Sequence, residues 1–554
     1  MLLPVSKNPP HKCGKVYLLR DIITLYFDLR LNWWQSCING TLKAGKDADS
    51  MRKYLAEIED EMMKKNRSGQ IRKAIIFVND LDVVRCVLPD GETTSRRKDK
   101  KLEFSLEVES DHFVFRNFNI LFNRRTEKVA EMFPHMALSR SMSEYIKSFD
   151  LPLSQIRFSL AYITKKIFYK DIKAELWEYA RENHLILKNP DYYADMQAGS
   201  QGGALSMFKP EDLQKIFYGV LSFDKKTAYP SYFVKDKYFP IGKIVKINLM
   251  PHKRIEQIRY RLAAGKWIKV VIEPEEEIEE LRNFRSPKKR LYGLEFWDFA
   301  ILEKCGIDFY KILEKYPFRL YISEKTGYMP ECFRRKIIEL YNLKNAERCK
   351  SSPKRFLYKT QLDMLYGKGL QKYDFKTRRD LFKKYVLRGD NFLQPQMSMH
   401  VVAAMRHEMM LVVGHFGADC ISFDTDGAKI VGDPGEIAEF FEKMNGYIMI
   451  KNEEAGFPSD IGIWDFEYEA ERYIQFAPKV YAYQVVDECP VCKFAGLSER
   501  SLRKYLEKIE GDPFEVWQRD GIQTETGGGW LYIPEIPGFL EIKQKYCIKK
   551  DDSD

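Results

Sequence analysis

Two segments 200 residues apart each run an apolar strand into an acid. In the first, Tyr218-Gly-Val-Leu-Ser-Phe-Asp224, residues Gly219–Phe223 read as a buried strand with Asp224 at its end. Tyr229-Pro230-Ser231 is expected to turn the chain soon after. In the second, Asp419-Cys-Ile-Ser-Phe-Asp-Thr-Asp-Gly-Ala-Lys-Ile-Val431, an apolar strand reaches Asp424-Thr425-Asp426-Gly427 and another follows. That pattern predicts a hairpin with two acids and a glycine at its tip. Acids and glycine are ordinary turn formers, so either segment alone is a plain turn. Together they constrain the fold, because strand-end acids that meet in space can hold two divalent cations. Mg²⁺ takes hard carboxylate oxygens together with substrate phosphates. Two such ions about 4 Å apart stabilise both oxygens of an in-line displacement at phosphorus.

The chain has 554 residues, room for three or four domains or subdomains and for a core that needs no disulfide staples. Its net charge of +10 permits a polyanionic partner without requiring one. The 32 Tyr, 36 Phe and 8 Trp fit either a large aromatic core or surfaces on which bases stack. Ten cysteines are scattered, with Cys489 and Cys492 the one close pair, which reads as two ordinary thiols. No run of about 18 apolar residues predicts a membrane span, and no apolar stretch behind basic residues predicts a secretory signal. The Gly-rich break Ala198–Ala204 marks the main boundary. Helices are expected over about 331–372, 398–416 and 498–509. The basic run Ser95–Lys101 reads as a solvated hairpin loop.

A further helix start lies at Ser352-Pro353, serine as cap and proline in the first turn. Lys359, Asp363 and Tyr366 then recur at i, i+4 and i+7 on one face, and Gly367 and Gly369 close the helix. Such a face offers an ammonium for a triphosphate and a ring for a base.

In this order the motifs resemble those of the family B DNA polymerases, most closely the small protein-primed enzymes of bacteriophages. Asp224-x-x-Thr-Ala-Tyr-Pro-Ser231 resembles motif A, Lys359-Thr-Gln-Leu-Asp-Met-Leu-Tyr-Gly367 motif B, and Asp424-Thr425-Asp426 motif C. Lys479-Val480-Tyr481 resembles the K-x-Y motif, Ile463-Trp-Asp-Phe-Glu467 the G-x-W-x-x-E stretch, and Gln201-Gly202-Gly203 the Y-x-G-G segment. Motif A and motif B begin 135 positions apart, which suits the protein-primed branch. The resemblance covers about 196–510.

It implies an α+β right-hand polymerase, preceded by a degenerate exonuclease-like, RNase H-like domain. Residues 1–195 would form the exonuclease-like domain, 205–330 and 396–478 the palm, 331–395 the fingers and 482–554 the thumb. Asp224 and Asp426 would hold two Mg²⁺, or Mn²⁺, with the Lys225 backbone assisting and Asp424 in support. Lys359, Asp363, Tyr366, Thr227 and Tyr229 would contact the incoming deoxynucleotide. Gly202, Gly203, Gly367, Lys479 and Tyr481 would contact DNA. The implied partners are primer-template DNA, dNTPs and a terminal protein primer docked near 285–330, on a monomer in the cytoplasm of a bacterial host.

Departures are specific. Asp363 stands where the family has Asn, and Gly427 where it has Ser. In the N-terminal third, Ile23 stands where the first nuclease motif needs Glu. Phe77–Asp82 fits the second only roughly, and Asn183 replaces the Asp of the third. A two-metal nuclease does not survive such losses, so proofreading is expected to be absent. Three rival readings remain. A reverse transcriptase is disfavoured by Phe423-Asp-Thr-Asp426 in place of Y-x-D-D. The others are a non-catalytic nucleic-acid-binding relative and a template-independent polymerase of a mobile element or defence system.

Overall fold

The structure is a computed structural model. It describes residues 17–18, 22–28, 33–38, 41–65, 72–79, 95–98, 105–109, 113–118, 136–149, 160–185, 190–198, 215–284, 291–349, 352–369, 392–477, 480–494, 502, 506–507, 509–520, 523–526, 529–532 and 548–550. The chain divides into two compact units, Met1–Asp171 with Glu339–Met364, and Ile172–Ile338 with Leu365–Asp554.

The first unit is built on β1 (Tyr17–Leu18), β2 (Ile23–Asp28), β3 (Trp33–Ile38), β4 (Thr41–Lys46), β5 (Arg72–Val78), β6 (Ser95–Lys98), β7 (Ser105–Glu109) and β8 (Phe113–Asn117). Their order is β4-β3-β2-β5-β8-β7-β6, with β1 also on β5. Strands β2, β5 and β8 are parallel, and β3 and β4 run antiparallel beyond β2. The central strands are buried on both faces, so alternate residues feed two cores. Ile23, Leu25, Phe27, Ile76 and Val78 pack under the helix Asp47–Lys65 through Met51, Leu55 and Ile58. Tyr26, Ile75 and Phe77 face the helices Leu138–Lys147 and Leu160–Tyr169. The basic run expected as a loop begins instead as strand β6, paired with β7 at the sheet's edge. Charged residue types are common on edge strands, where they discourage pairing with another chain.

In the second unit β9 (Ile216–Lys225) lies inside a six-stranded sheet with β16 (Cys420–Asp424), β17 (Gly427–Ile430), β18 (Trp464–Ala477), β19 (Val480–Gln484) and β20 (Val491–Phe494). The order is β16-β17-β9-β18-β19-β20, and neighbouring strands run antiparallel throughout. Phe223 of β9 stacks on Phe441 of the helix Pro434–Glu454, with centroids 3.9 Å apart. The helix Pro395–Phe416, buried along most of its first three turns, leads into β16. Residues 239–327 form the short pair β10 (Phe239–Pro240) and β15 (Thr326–Gly327) and a separate antiparallel sheet. That sheet contains β11 (Ile244–Ile247), β12 (Ile268–Ile272), β13 (Tyr292–Glu295) and β14 (Phe318–Ser323). Helices Pro251–Ala263, Phe296–Lys304 and Phe309–Lys315 pack against it through Ile258, Phe299 and Leu313. Near the C-terminus, β21 (Gln523–Thr526), β22 (Gly529–Tyr532) and β23 (Ile548–Lys550) make a third sheet.

A buried polar cluster ties the 395–416 helix to Asp236 and to the start of the helix Phe296–Lys304. His400, fully buried, lies 3.0 Å from Asp236 through Nε2 and 2.9 Å from Glu295 through Nδ1. Trp297 Nε1 donates to Asp236 at 3.0 Å and Trp267 Nε1 to Glu295 at 3.1 Å. The two carboxylates push the imidazole up to about 10 against the opposing effect of burial.

Two expectations change in detail. Tyr229-Pro230-Ser231 is not the turn itself but part of the helix Ala228–Lys235. Proline is tolerated there because first-turn N–H groups have no intrahelical acceptor to lose. The helical stretch 331–372 is two helices, Glu331–Ala346 and Pro353–Gly369. Gly367 is thus inside the last turn; a Cβ on Gly369 would lie 2.0 Å from Ser398 Oγ, so that close approach requires glycine. The expected helix at 498–509 falls largely outside the described residues.

Candidate active site

The ladder register brings the two acid-tipped segments together. Asp224 of β9 sits opposite Gly427 of β17 on one side and Asp465 of β18 on the other, while Gly427 pairs with Asp424 across the hairpin. The Lys225 N–H donates to the Asp426 carbonyl at 2.9 Å and the Asp426 N–H to the Asp424 carbonyl at 2.7 Å.

Both turns hold a threonine in the left-handed region, Thr227 at φ 53° and Thr425 at φ 65°. A β-branched residue there costs about 1–2 kcal/mol, and such strain collects at functional turns. Thr425 Oγ1 donates to Asp424 Oδ1 at 2.9 Å, which orients that carboxylate.

The electrostatics point to a cation. Burial pushes Asp224 up to about 7, and the negative charges of Asp426 and Glu467 add to the shift. Lys429, 7% exposed, and the Lys225 N–H pull it back down. Ionising Asp224 beside two like charges is costly unless positive charge arrives. Hard carboxylate oxygens suit Mg²⁺ or Mn²⁺. Among the described residues no group of three or more His, Cys, Asp or Glu forms a ready-made metal cluster. Two carboxylates, Asp224 and Asp426, are hard oxygen donors of the kind Mg²⁺ combines with substrate phosphates and water.

Glu467, the acid of the G-x-W-x-x-E stretch, joins this site, although that resemblance alone assigned it no role at the carboxylates. It is the extra residue of a bulge in β18 between Phe466 and Tyr468, and its Oε2 accepts from Ser222 Oγ at 2.9 Å. A bulge re-aims one side chain, and strand alternation gives no warning of it. Gly427 also gains a reason: a Cβ there would lie 3.3 Å from Asp224 Oδ1 and 3.6 Å from Lys429 Nζ. A serine there would press on the carboxylate and meet the lysine only at ordinary van der Waals distance.

The other expected residues divide. The Lys225 side chain is buried and ion-paired with Glu408, which also accepts from Tyr232 Oη and, at 3.0 Å, from Trp464 Nε1. Lys225 therefore offers the turn only its backbone, and its ammonium holds Glu408 well below the usual carboxylate range despite burial. Tyr229 is 6% exposed within its helix. The Tyr481 ring lies 5.5 Å from Lys429 Nζ and stacks on Tyr473. Tyr468 and Tyr483 stack at 4.1 Å on the same sheet. Lys359 and Asp363 are exposed on the helix Pro353–Gly369 and belong to the first unit; Tyr366 and Gly367 follow on that helix in the second. Gly202, Gly203 and Lys479 lie outside the described residues. Cys489 is exposed and Cys492 buried, both as free thiols, with burial pushing Cys492 up to about 12.

No family model matches the chain, and no curated protein matches it. Solved structures do. Phi29 DNA polymerase in a post-translocation complex with primer-template DNA is similar, at 12% identity and TM-score 0.58, over 90% of this chain and 95% of that one. The ternary complex of the same enzyme with primer-template DNA and incoming nucleotide gives 12% and 0.55, over 88% and 94%. Its complex with single-stranded DNA gives 11% and 0.56, over 88% and 94%. The likeness is one of fold, and it is the fold implied by the resemblance to protein-primed family B polymerases.

Proposed function

We propose that the chain is a DNA-templated DNA polymerase that extends a 3′ end by phosphoryl transfer, with Asp224 and Asp426 as its metal ligands. The observation that carries this reading is the pairing of β9 with β17, which joins the two strand-end acids into one mutually repelling cluster. Two divalent cations held by Asp224 and Asp426 would neutralise charge on the attacking and leaving oxygens. In phosphoryl transfer the protein mostly positions groups and balances charge. Here Thr425 orients Asp424, Lys429 tempers the field on Asp224, and Lys359 would take the triphosphate. Tyr229 would lie under the sugar, and Lys479 and Tyr481 would hold the primer end.

We assign the first unit an exonuclease-like role without proofreading. Its run of three antiparallel strands, β4-β3-β2, continued by parallel β5 and β8, is an RNase H-like order. Ile23, at the position of the nuclease Glu, is 2% exposed in an apolar core. Asn79 spends its amide on both backbone groups of Phe27, at 3.0 and 2.9 Å. Asn183, which stands in place of the third motif's Asp and belongs to the second unit, donates to the Tyr179 carbonyl at 2.9 Å and accepts from Lys325 Nζ at 3.1 Å. Release of mononucleotides from single-stranded DNA in Mg²⁺ or Mn²⁺ would overturn this assignment. Protein priming rests on the branch resemblance and is tested by nucleotidylation of a partner protein.

The polymerase reading is tested by primer extension with each dNTP on a defined template, against Asp426→Ala. Complementary incorporation by the intact chain, lost in the variant, is expected. No extension by the intact chain overturns the reading, and template-independent incorporation favours the specialised polymerase instead.

A further inference from the structure

In the second unit a cavity of about 610 Å³ opens at the C-terminal end of the helix Pro251–Ala263, bounded by Lys237, Tyr238, Arg261, Lys266, Glu324 and Thr326. None of Asp224, Asp426 and Glu467 lines it. Its charge balance is uneven. Three cations face one carboxylate, and Glu324 already has a cation in Lys243, 3.7 Å away. Lys237 and Lys266 are exposed at the rim. Arg261 is only partly exposed and lacks a carboxylate partner among the described residues; one Nη donates weakly to the Ser323 carbonyl at 3.4 Å. Its Nε is buried with no hydrogen-bond partner among the described residues. A buried donor left unmade costs about 1–3 kcal/mol, more on a charged group.

The stretch between Arg261 and Lys266 carries small side chains. Ala263, Ala264 and Gly265 follow one another along the rim. Gly265 has φ +61°, and a Cβ on it would lie 2.9 Å from the Tyr238 ring, so the chain turns here only with glycine. Tyr238 is fixed in turn by stacking on Phe296 at 4.9 Å, with the Lys237 amine 5.4 Å from its centroid. The cavity is therefore a shaped space with a guanidinium in its side, not a loose surface cluster.

We propose that this cavity binds a phosphate ester, with the Arg261 fork on the phosphate oxygens and Lys237 and Lys266 adding charge at the rim. Arginine matches planar, bidentate contact with phosphate, and the lysines act as point charges. The volume is large for one inorganic phosphate and suits a nucleotide or a short run of nucleic-acid backbone. Both sources share the same chemistry. The site does not depend on the polymerase reading, since it would bind phosphate in a chain that extends no primer.

The test uses the full chain in EDTA and compares it with Arg261→Gln and with the double rim variant Lys237→Gln/Lys266→Gln, whose exposed positions spare the fold. One arm measures the salt dependence of binding to a fluorescent 12-nucleotide oligo(dT). The other titrates inorganic phosphate and ATP by calorimetry. A backbone ligand predicts that the log–log salt slope falls by about 0.7 for each phosphate that a variant no longer neutralises, about 1.4 in the double variant. A free phosphate ligand predicts calorimetric heat that disappears in Arg261→Gln and weakens in Arg261→Lys, which keeps the charge but loses the fork. Either result supports the site. An unchanged slope together with unchanged or absent heat overturns it. Asp426→Ala, run in parallel, leaves both readouts intact if the site is separate from the carboxylates, so its loss of primer extension is read independently.

Discussion

Asp224 should be destabilising until a cation arrives, and replacing it should therefore strengthen the metal-free protein. Its carboxyl is pushed from 3.8 up to about 7, chiefly by burial and then by Asp426 and Glu467. The folded state thus holds this proton more tightly than the unfolded chain does. Stability is lost as pH rises from about 4 to about 7, and the loss is complete above that range. One pKa unit is about 1.4 kcal/mol, so the cost of ionised Asp224 above pH 8 comes to about 4 kcal/mol. Asp224→Asn keeps the shape and the acceptor for the Lys225 N–H but cannot ionise. Denaturation in EDTA should show the variant more stable than the parent by about 4 kcal/mol at pH 8.5 and nearly equal at pH 3.5. Adding Mn²⁺ at pH 8.5 should raise the parent's midpoint and leave the variant's unchanged, because a ligand that binds only the folded state stabilises it. A variant equal to or weaker than its parent at pH 8.5, or a gain that does not vary with pH, would refute the reasoning.

Other parts of the structure carry their own tests. Lys429 holds Asp224 down, so Lys429→Met should move the pH midpoint of Mn²⁺ binding, followed by electron paramagnetic resonance, above about 7; a midpoint that stays or falls excludes the lysine from that field. Glu408→Gln leaves Lys225 buried without its counter-ion and should cost about 3 kcal/mol in chemical denaturation, whereas a loss under 1 kcal/mol would show that the pair is dispensable. His400 is raised from 6.5 to about 10, so the stability it contributes is fully present below pH 6.5 and is lost as pH rises to about 10. His400→Gln should accordingly flatten the alkaline limb of the stability profile, and an identical limb in both proteins would contradict the ion-paired imidazole.

The parts of the site legible in the sequence are those governed by local patterning. Strand β9, the acid-tipped hairpin and the capped helix at Ser352 follow from apolar runs, turn residues and a serine–proline start. Arg355 N–H reaches Ser352 Oγ at 3.4 Å, and the Phe356 N–H donates to the Ser352 carbonyl at 3.0 Å. What patterning cannot supply is register. The meeting of Asp224 with the hairpin depends on β17 pairing with β9, a contact between strands some 200 residues apart that no local rule specifies. Glu467 is visible as a motif residue, but its direction is not, because a bulge breaks the two-residue period that would have placed it. Glu408 and Lys225 are a buried pair that composition does not reveal, since charge alone does not say which face of a helix meets a strand. The edge strand β6 illustrates the converse: a basic run reads as a loop because composition speaks to solvent exposure and not to backbone pairing.

Above all, Asp224 and Asp426 should act as one metal-binding site at the joined ends of β9 and the hairpin. The most direct test is anomalous diffraction from crystals of the full chain grown with primer-template DNA, a non-hydrolysable dNTP and Mn²⁺. Two manganese peaks about 4 Å apart, contacting both carboxylates and the triphosphate, are predicted. Nucleotide bound with no manganese at these carboxylates, or manganese held elsewhere in the chain, would contradict the account.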